Sequence, residues 1–171
     1  MSLSGASANI AEMIRENEQH RKYFYKTIDP RFSDRIYDGR IHFSKIFEFF
    51  EMARFDIMHG FYDFFQSKKP CETEPDLGSF VVVRVQCENS QALFRPVEGG
   101  LVIKTALTVH QRPLLEFEQI ALSRDGGTVL SQVDMKIAIV DKSFKTMEAW
   151  DEEILLAMLE FIQSYGKEDI I

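Results

Sequence analysis

The segment from Lys45 to about Phe65 constrains this chain most, because it reads as one long helix and strand-like segments follow it. At 1.5 Å per residue it would be ~30 Å long. Successive residues placed 100° apart put Ile46, Phe49, Phe50, Ala53, Ile57, Phe61 and Phe64 on one side, with Lys45, Glu48, Asp56, His59 and Asp63 on the opposite arc. A helix with so aromatic a stripe, followed by antiparallel strands, must bury that stripe in the concave face of the sheet they form. The phenylalanines at 47, 49, 50, 55, 61, 64 and 65 are therefore expected to build the core. Glu51 and Arg54 fall on the flank of the apolar side, three residues apart and in reach of each other. A carboxylate there is costly unless it is paired or working.

The remaining elements complete an α+β order. Ser7 or Asn9 is a candidate cap for a polar helix, IAEMIRENEQHRKYF, whose Ile10, Met13, Ile14 and Phe24 form a thin apolar edge, as in an element packed on the outside. Tyr23 to Phe32 has mixed strand character, and Pro30 places it at an edge or makes it end early. A loop from Ser33 to Arg40 carries turn-compatible Asp34, Asp38 and Gly39, with Ser44 as the expected cap of the long helix. After it comes a polar loop, QSKKPCETEPDLG, suited to covering a cleft. Strands are then predicted over Ser79 to Glu88, Leu101 to His110, Leu114 to Ser123 and Thr128 to Asp141, the last two joined by the hairpin turn Arg124-Asp125-Gly126-Gly127. On the second of these, Leu101, Ile103, Thr105, Leu107 and Val109 share a face. Trp150 to Tyr165 closes the chain as an acidic amphipathic helix. The expected division is a helical extension over 1–22, a body over 23–146, and a C-terminal helix over 147–171 packed on that body.

At 171 residues and 45% hydrophobic content, the chain suffices for one core and one domain. A net charge of -7 argues against a general affinity for nucleic acid or anionic membrane, so any phosphate-binding cations must act locally. Cys71 and Cys87 lack metal-ligand spacing and read as reduced thiols of a cytoplasmic protein. No stretch approaches the ~20 apolar residues of a membrane span, and no export signal is visible. Nor is there a Gly-rich phosphate loop, a metal-ligand cluster or a serine nucleophile elbow. No metal or separate cofactor is expected.

The polar residues Asp34, Asp38, His42 and Glu51 fall within eighteen residues around the start of the long helix. The segment RFSDRIYDGRIHFSKIFEFFEMAR that holds them resembles the signature of the 4-hydroxybenzoyl-CoA thioesterase-like acyl-CoA thioesterases, roughly D-T-D-x-x-G-H-V-N-N-x-x-Y-L-x-x-F-E-x-A-R. Without gaps, Asp34 matches the first Asp, Gly39 the Gly, Ile41 the Val, Phe49 the Phe, and Glu51, Ala53 and Arg54 the closing E-x-A-R. The similarity continues through GSFVVVRVQCENSQALFRPVEGGLVIKTALTV and spans roughly Lys26 to Lys145. It implies a hotdog fold, a long central helix wrapped by an antiparallel sheet, assembled as a homodimer or homotetramer with acyl-thioester sites between subunits. The implied substrate is an acyl-CoA or an acyl-carrier-protein thioester, and the implied reaction is its hydrolysis.

The second Asp of D-T-D, which in that family acts on the thioester, is Ile36 here, while Arg40 stands at the family's His and His42 at its first Asn. Thioester hydrolysis needs a carboxylate to activate water or attack the carbonyl, and N–H donors to hold the oxyanion. Asp38, facing backbone amides of Phe43 to Ile46, is one candidate and Glu51 another. Asp34 is a candidate or a loop anchor, and His42, directly before the helix, is a candidate for proton transfer. Arg84, Lys104, Arg112 and Lys136, on or beside strands, are the candidates for the coenzyme phosphates. The substitution at Ile36 keeps alternatives open: an acyl-thioester-binding protein without hydrolysis, or a dehydratase or acyltransferase, a dehydratase pairing His42 with Glu51.

Overall fold

The computed structural model describes residues 3–68, 79–141, 143 and 145–170, with side chains from residue 9 onward. Helix α1 (Leu3–Gln19) leads into strand β1 (Tyr23–Ile28), and a single 3-10 turn at Phe32–Asp34 precedes the long helix α2 (Phe43–Lys68). Strands β2 (Ser79–Asn89), β3 (Leu101–Val109), β4 (Leu114–Ser123) and β5 (Val129–Val140) follow, and helix α3 (Glu152–Tyr165) closes the chain. The strands form one antiparallel sheet in the order β1-β3-β4-β5-β2. Cys71 and most of the expected covering loop lie outside the described residues, while Gln66 to Lys68 belong to α2.

The stripe on α2 packs as its spacing requires. Ile46, Phe49, Phe50, Ala53, Ile57, Phe61 and Phe65 are buried against the inward residues of the sheet, Leu101, Ile103, Leu107, Leu115, Phe117 and Val133 among them. Three expected core rings depart from this: Phe47 and Phe64 are half-buried, with Phe65 rather than Phe64 ending the buried stripe, and Phe55 is 55% exposed. Gly60 admits the third layer, since a Cβ there would stand 3.3 Å from the Phe161 ring of α3. The Asp-Gly turn of the loop before α2 needs its glycine, because Gly39 has φ 85°, which a side chain resists.

Helix α1 lies further toward the N-terminus than its apolar spacing suggests, and Phe24 belongs to β1, where it stacks on Phe161 with centroids 5.6 Å apart. The helix is also more than an external addition. Strand β1 pairs with β3 only as far as Ala106, which leaves the last residues of β3 without a strand on that side. The amide of Asn17, 1% exposed, takes the missing strand's place: Nδ2 donates to the Leu107 carbonyl at 3.4 Å and Oδ1 accepts from the Val109 N–H at 3.1 Å. Unpaired buried backbone groups are costly, so this side chain ties α1 to the sheet. We predict that Asn17→Ala lowers the unfolding free energy by about 1 to 3 kcal/mol in urea denaturation, whereas His20→Ala stays within about 0.5 kcal/mol. Equal, small effects would contradict this role.

Candidate functional site

The loop before α2 is a tight hairpin, with Arg35 bridged to Ile41 and the Ile36 N–H donating to the Arg40 carbonyl at 2.7 Å. Arg35 pins it to the β2–β3 connection, donating to the carbonyls of Gly39 (3.2 Å), Val97 (2.5 Å) and Gly99 (2.7 Å). The loop's polar groups are largely satisfied within it. Asp34 Oδ2 accepts from the Arg31 N–H at 2.7 Å, and its other oxygen lies 4.0 Å from Lys45 Nζ. Asp38 is bound twice by Arg40, through Nε at 2.6 Å and the backbone N–H at 3.2 Å.

His42, rather than Ser44, caps α2. Its Nδ1 accepts from the Ser44 N–H at 3.3 Å, with the Ser44 hydroxyl 2.8 Å away. A side-chain acceptor on the residue before the first helical one, bonded to the second N–H, is N-capping geometry. The Lys45 N–H is also engaged, by the His42 carbonyl at 2.8 Å. Two of the amides expected to face Asp38 are thus already used, and Asp38 faces Arg40 instead.

Glu51 and Arg54 are placed differently from the other candidates. Both line a cavity of about 260 Å³ between α2 and the strands β2, β4 and β5, whose other walls are apolar side chains including Phe55, Phe80, Phe117 and Met135. Glu51 is exposed, because β2 is the last strand of the sheet and leaves this flank of α2 open. It makes no ion pair with Arg54 within 4.0 Å among the described residues, although its charge reaches the guanidinium: burial draws the Arg54 pKa down and Glu51 partly offsets this. Arg54 Nη1 donates to Gln119 Oε1 at 2.5 Å. Gln119 is fully buried on the inward face of β4, and its Nε2 donates to the Phe50 carbonyl of α2 (2.9 Å) and to Thr105 Oγ1 of β3 (3.1 Å).

Asp34, Asp38 and His42 do not line this cavity. Neither do the four cations expected at the coenzyme phosphates. Lys136 sits between Met135 and Ile137, which face the cavity, so pleating turns it to the outer face, where it lies 3.1 Å from Glu116. Arg84 is its cross-strand neighbour and contacts Gln86. Lys104 is 7% exposed, ion-paired with Asp169 at 2.5 Å and set over the Tyr23 ring. Arg112 is exposed in the β3–β4 turn. A larger cavity of about 570 Å³ opens on the β1 side of α2, lined by Phe24, Asp56, Asp63, Phe64 and Tyr165 among others, and none of the candidate residues borders it.

Gln119 and Arg35 carry this arrangement, and neither is among the residues expected at the site. Gln119 had a signal: it occupies an inward position on an alternating strand, between Phe117 and Ala121, opposite the equally inward Thr105.

No family model and no curated protein match the sequence. Among solved structures, the probable thioesterase YbaW of Escherichia coli superposes with a TM-score of 0.62 at 19% identity, over 81% of this chain and 98% of that one. A thioesterase of Thermus thermophilus, solved with coenzyme A and zinc, gives 0.57 at 18% identity over 81% and 93%. A DHNA-CoA thioesterase of Staphylococcus aureus gives 0.54 at 15% identity over 74% and 80%. Among the described residues, no group of three or more His, Cys, Asp or Glu side chains is arranged to hold a metal, and no helix is long and apolar enough to cross a membrane.

We predict that His42→Ala costs about 0.5 to 2 kcal/mol of stability in urea denaturation and that His42→Asn, which supplies a side-chain acceptor, recovers most of it; a loss that His42→Asn leaves in full would contradict the capping role. The long helix, the sheet that wraps it and its open β2 edge together are the hotdog fold of these probable and established thioesterases.

Proposed function

We propose that this protein hydrolyses acyl thioesters, with Glu51 as the general base and the cavity beside α2 as the acyl site. The observation that carries this reading is the state of Glu51. Of the four candidate polar residues, it alone borders an apolar cavity and makes no close ion pair or hydrogen bond among the described residues. Glu51 takes a proton from water as the water oxygen bonds to the thioester carbonyl carbon, and the carbonyl π electrons pass to oxygen. The tetrahedral intermediate then collapses, the C–S bond breaks, and the proton on Glu51 passes to the departing sulfur. The products are a carboxylic acid and a free thiol. The structural neighbour solved with coenzyme A supports a CoA thioester as the substrate.

The same reading takes the active form as a homodimer built on β2. An outermost strand presents unpaired backbone groups, and proteins normally blunt, cover or pair such an edge. Here β2 offers eleven residues with Phe80, Val81, Val82, Val83 and Val85 exposed, so both of its faces as well as its edge lack cover. Pairing with the β2 edge of a second copy is a self-complementary solution to all three. It would also close the cavity, since Phe80 and Val82 form one wall of it.

Assays on aliphatic and aromatic acyl-CoAs with a thiol reagent test the reaction. At least one substrate should turn over. Glu51→Gln should then lower kcat by about 10²- to 10⁴-fold, while Asp38→Asn should stay within a few-fold. Folded protein inactive across the panel, or a loss confined to Asp38→Asn, would remove Glu51 from this role. For the assembly, sedimentation should give at least twice the 19.9 kDa chain mass, and Val83→Asp with Val85→Asp should shift it to the monomer. A wild-type monomer at micromolar concentration would contradict the β2 interface.

A further inference from the structure

We propose that Arg54 is a second catalytic residue, donating to the developing oxyanion of the thioester carbonyl, and that Gln119 is the positioning residue that aims it. This rests on the hydrolase reading of the Glu51 cavity and specifies what opposes the base there. An oxyanion site needs donors that are free, fixed before reaction, and within reach of the carbon that the base-activated water attacks.

The backbone amides at the start of α2 fit this need poorly, because Ser44 and Lys45 already bond His42. Arg54 meets each requirement. One of its N–H groups is committed to Gln119, and no other hydrogen bond of its guanidinium is found among the described residues. The other cavity-lining side chains apart from Glu51 are apolar and offer no competing acceptor. Arg54 stands one helical turn beyond Glu51, so base and donor border the same space from the same helix.

Fixation comes from below. Gln119 is fully buried, and its amide nitrogen is held by Phe50 of α2 and Thr105 of β3, so its Oε1 can point in only one direction. A guanidinium tied to that oxygen is oriented before substrate arrives, and its placement costs nothing at the moment of reaction. Its positive charge complements the charge that appears when the carbonyl electrons move onto oxygen. A neutral carbonyl in the ground state gains less, so the contribution belongs in kcat.

The test uses full-length protein and the best acyl-CoA of the panel. Arg54→Ala should lower kcat about 10²- to 10³-fold with KM within a few-fold, and added guanidinium chloride at sub-denaturing concentration should restore part of the rate. Glu51→Gln should show no such rescue. Arg54→Lys, which keeps the charge but lacks the fork, should fall between wild type and Arg54→Ala, and it carries the test should Arg54→Ala fail to fold. Gln119→Leu should lower kcat by about tenfold, yet lower it no further in the Arg54→Ala background, since Gln119 acts through Arg54. Folded Arg54→Ala or Arg54→Lys with wild-type kcat would overturn the proposal and leave the Glu51 reading standing. An equal loss on Gln119→Leu with and without Arg54 would overturn the positioning role. A wild-type protein inactive on every thioester would remove both readings together.

Discussion

The amide of Gln119 fixes how the long helix sits on its sheet. Apolar packing holds α2 in the trough without strongly specifying its rotation or its position along the trough, because the hydrophobic effect is non-directional. A buried amide is directional, and burying it is unfavourable unless its hydrogen bonds are made. Gln119 has partners on both ends, the Phe50 carbonyl and Thr105 at nitrogen and Arg54 at oxygen. Sliding α2 by one residue would break these bonds while leaving much of the apolar contact intact. The same contact sets where Glu51 and Arg54 meet the cavity, so the core and the candidate site share one determinant.

Much of the fold could be read from periodicity because its elements obey simple rules. The inward face of β3, the β4–β5 hairpin at Gly126 and the buried stripe of α2 follow from alternation, turn chemistry and the helical period. The errors fall where a distant element supplies what local sequence lacks. Asn17 looks like one more polar residue on a polar helix until β3 is seen to outrun β1 by the length of its last residues. A smaller difference is local: α2 begins at Phe43, two residues before the expected start at Lys45, so His42 rather than Ser44 caps it.

The candidate site was legible in composition but not in arrangement. The segment Asp34 to Arg54 does hold the polar groups nearest α2, yet the structure divides them: Asp34, Asp38 and His42 stabilise a loop and a cap, while Glu51 and Arg54 border the cavity. Glu51, which helical spacing places on the flank of the apolar side, is exposed, since the outermost strand gives no cover there. For the strand cations, local pleating already held the answer. Lys136 between two cavity-lining residues, and Lys104 between inward Ile103 and Thr105, have to face outward, where carboxylates meet them.

The proposed hydrolysis requires the thioester carbonyl to lie in the cavity between Glu51 and Arg54. A crystal structure of the Glu51→Gln protein with a bound acyl-CoA that the wild type hydrolyses measures this directly. The carbonyl oxygen should then lie within hydrogen-bonding distance of the Arg54 guanidinium, the carbonyl carbon beside residue 51, and the acyl chain along Phe117 and Met135. A carbonyl found at the Asp38 loop, or an acyl chain in the larger cavity on the β1 side of α2, would contradict it.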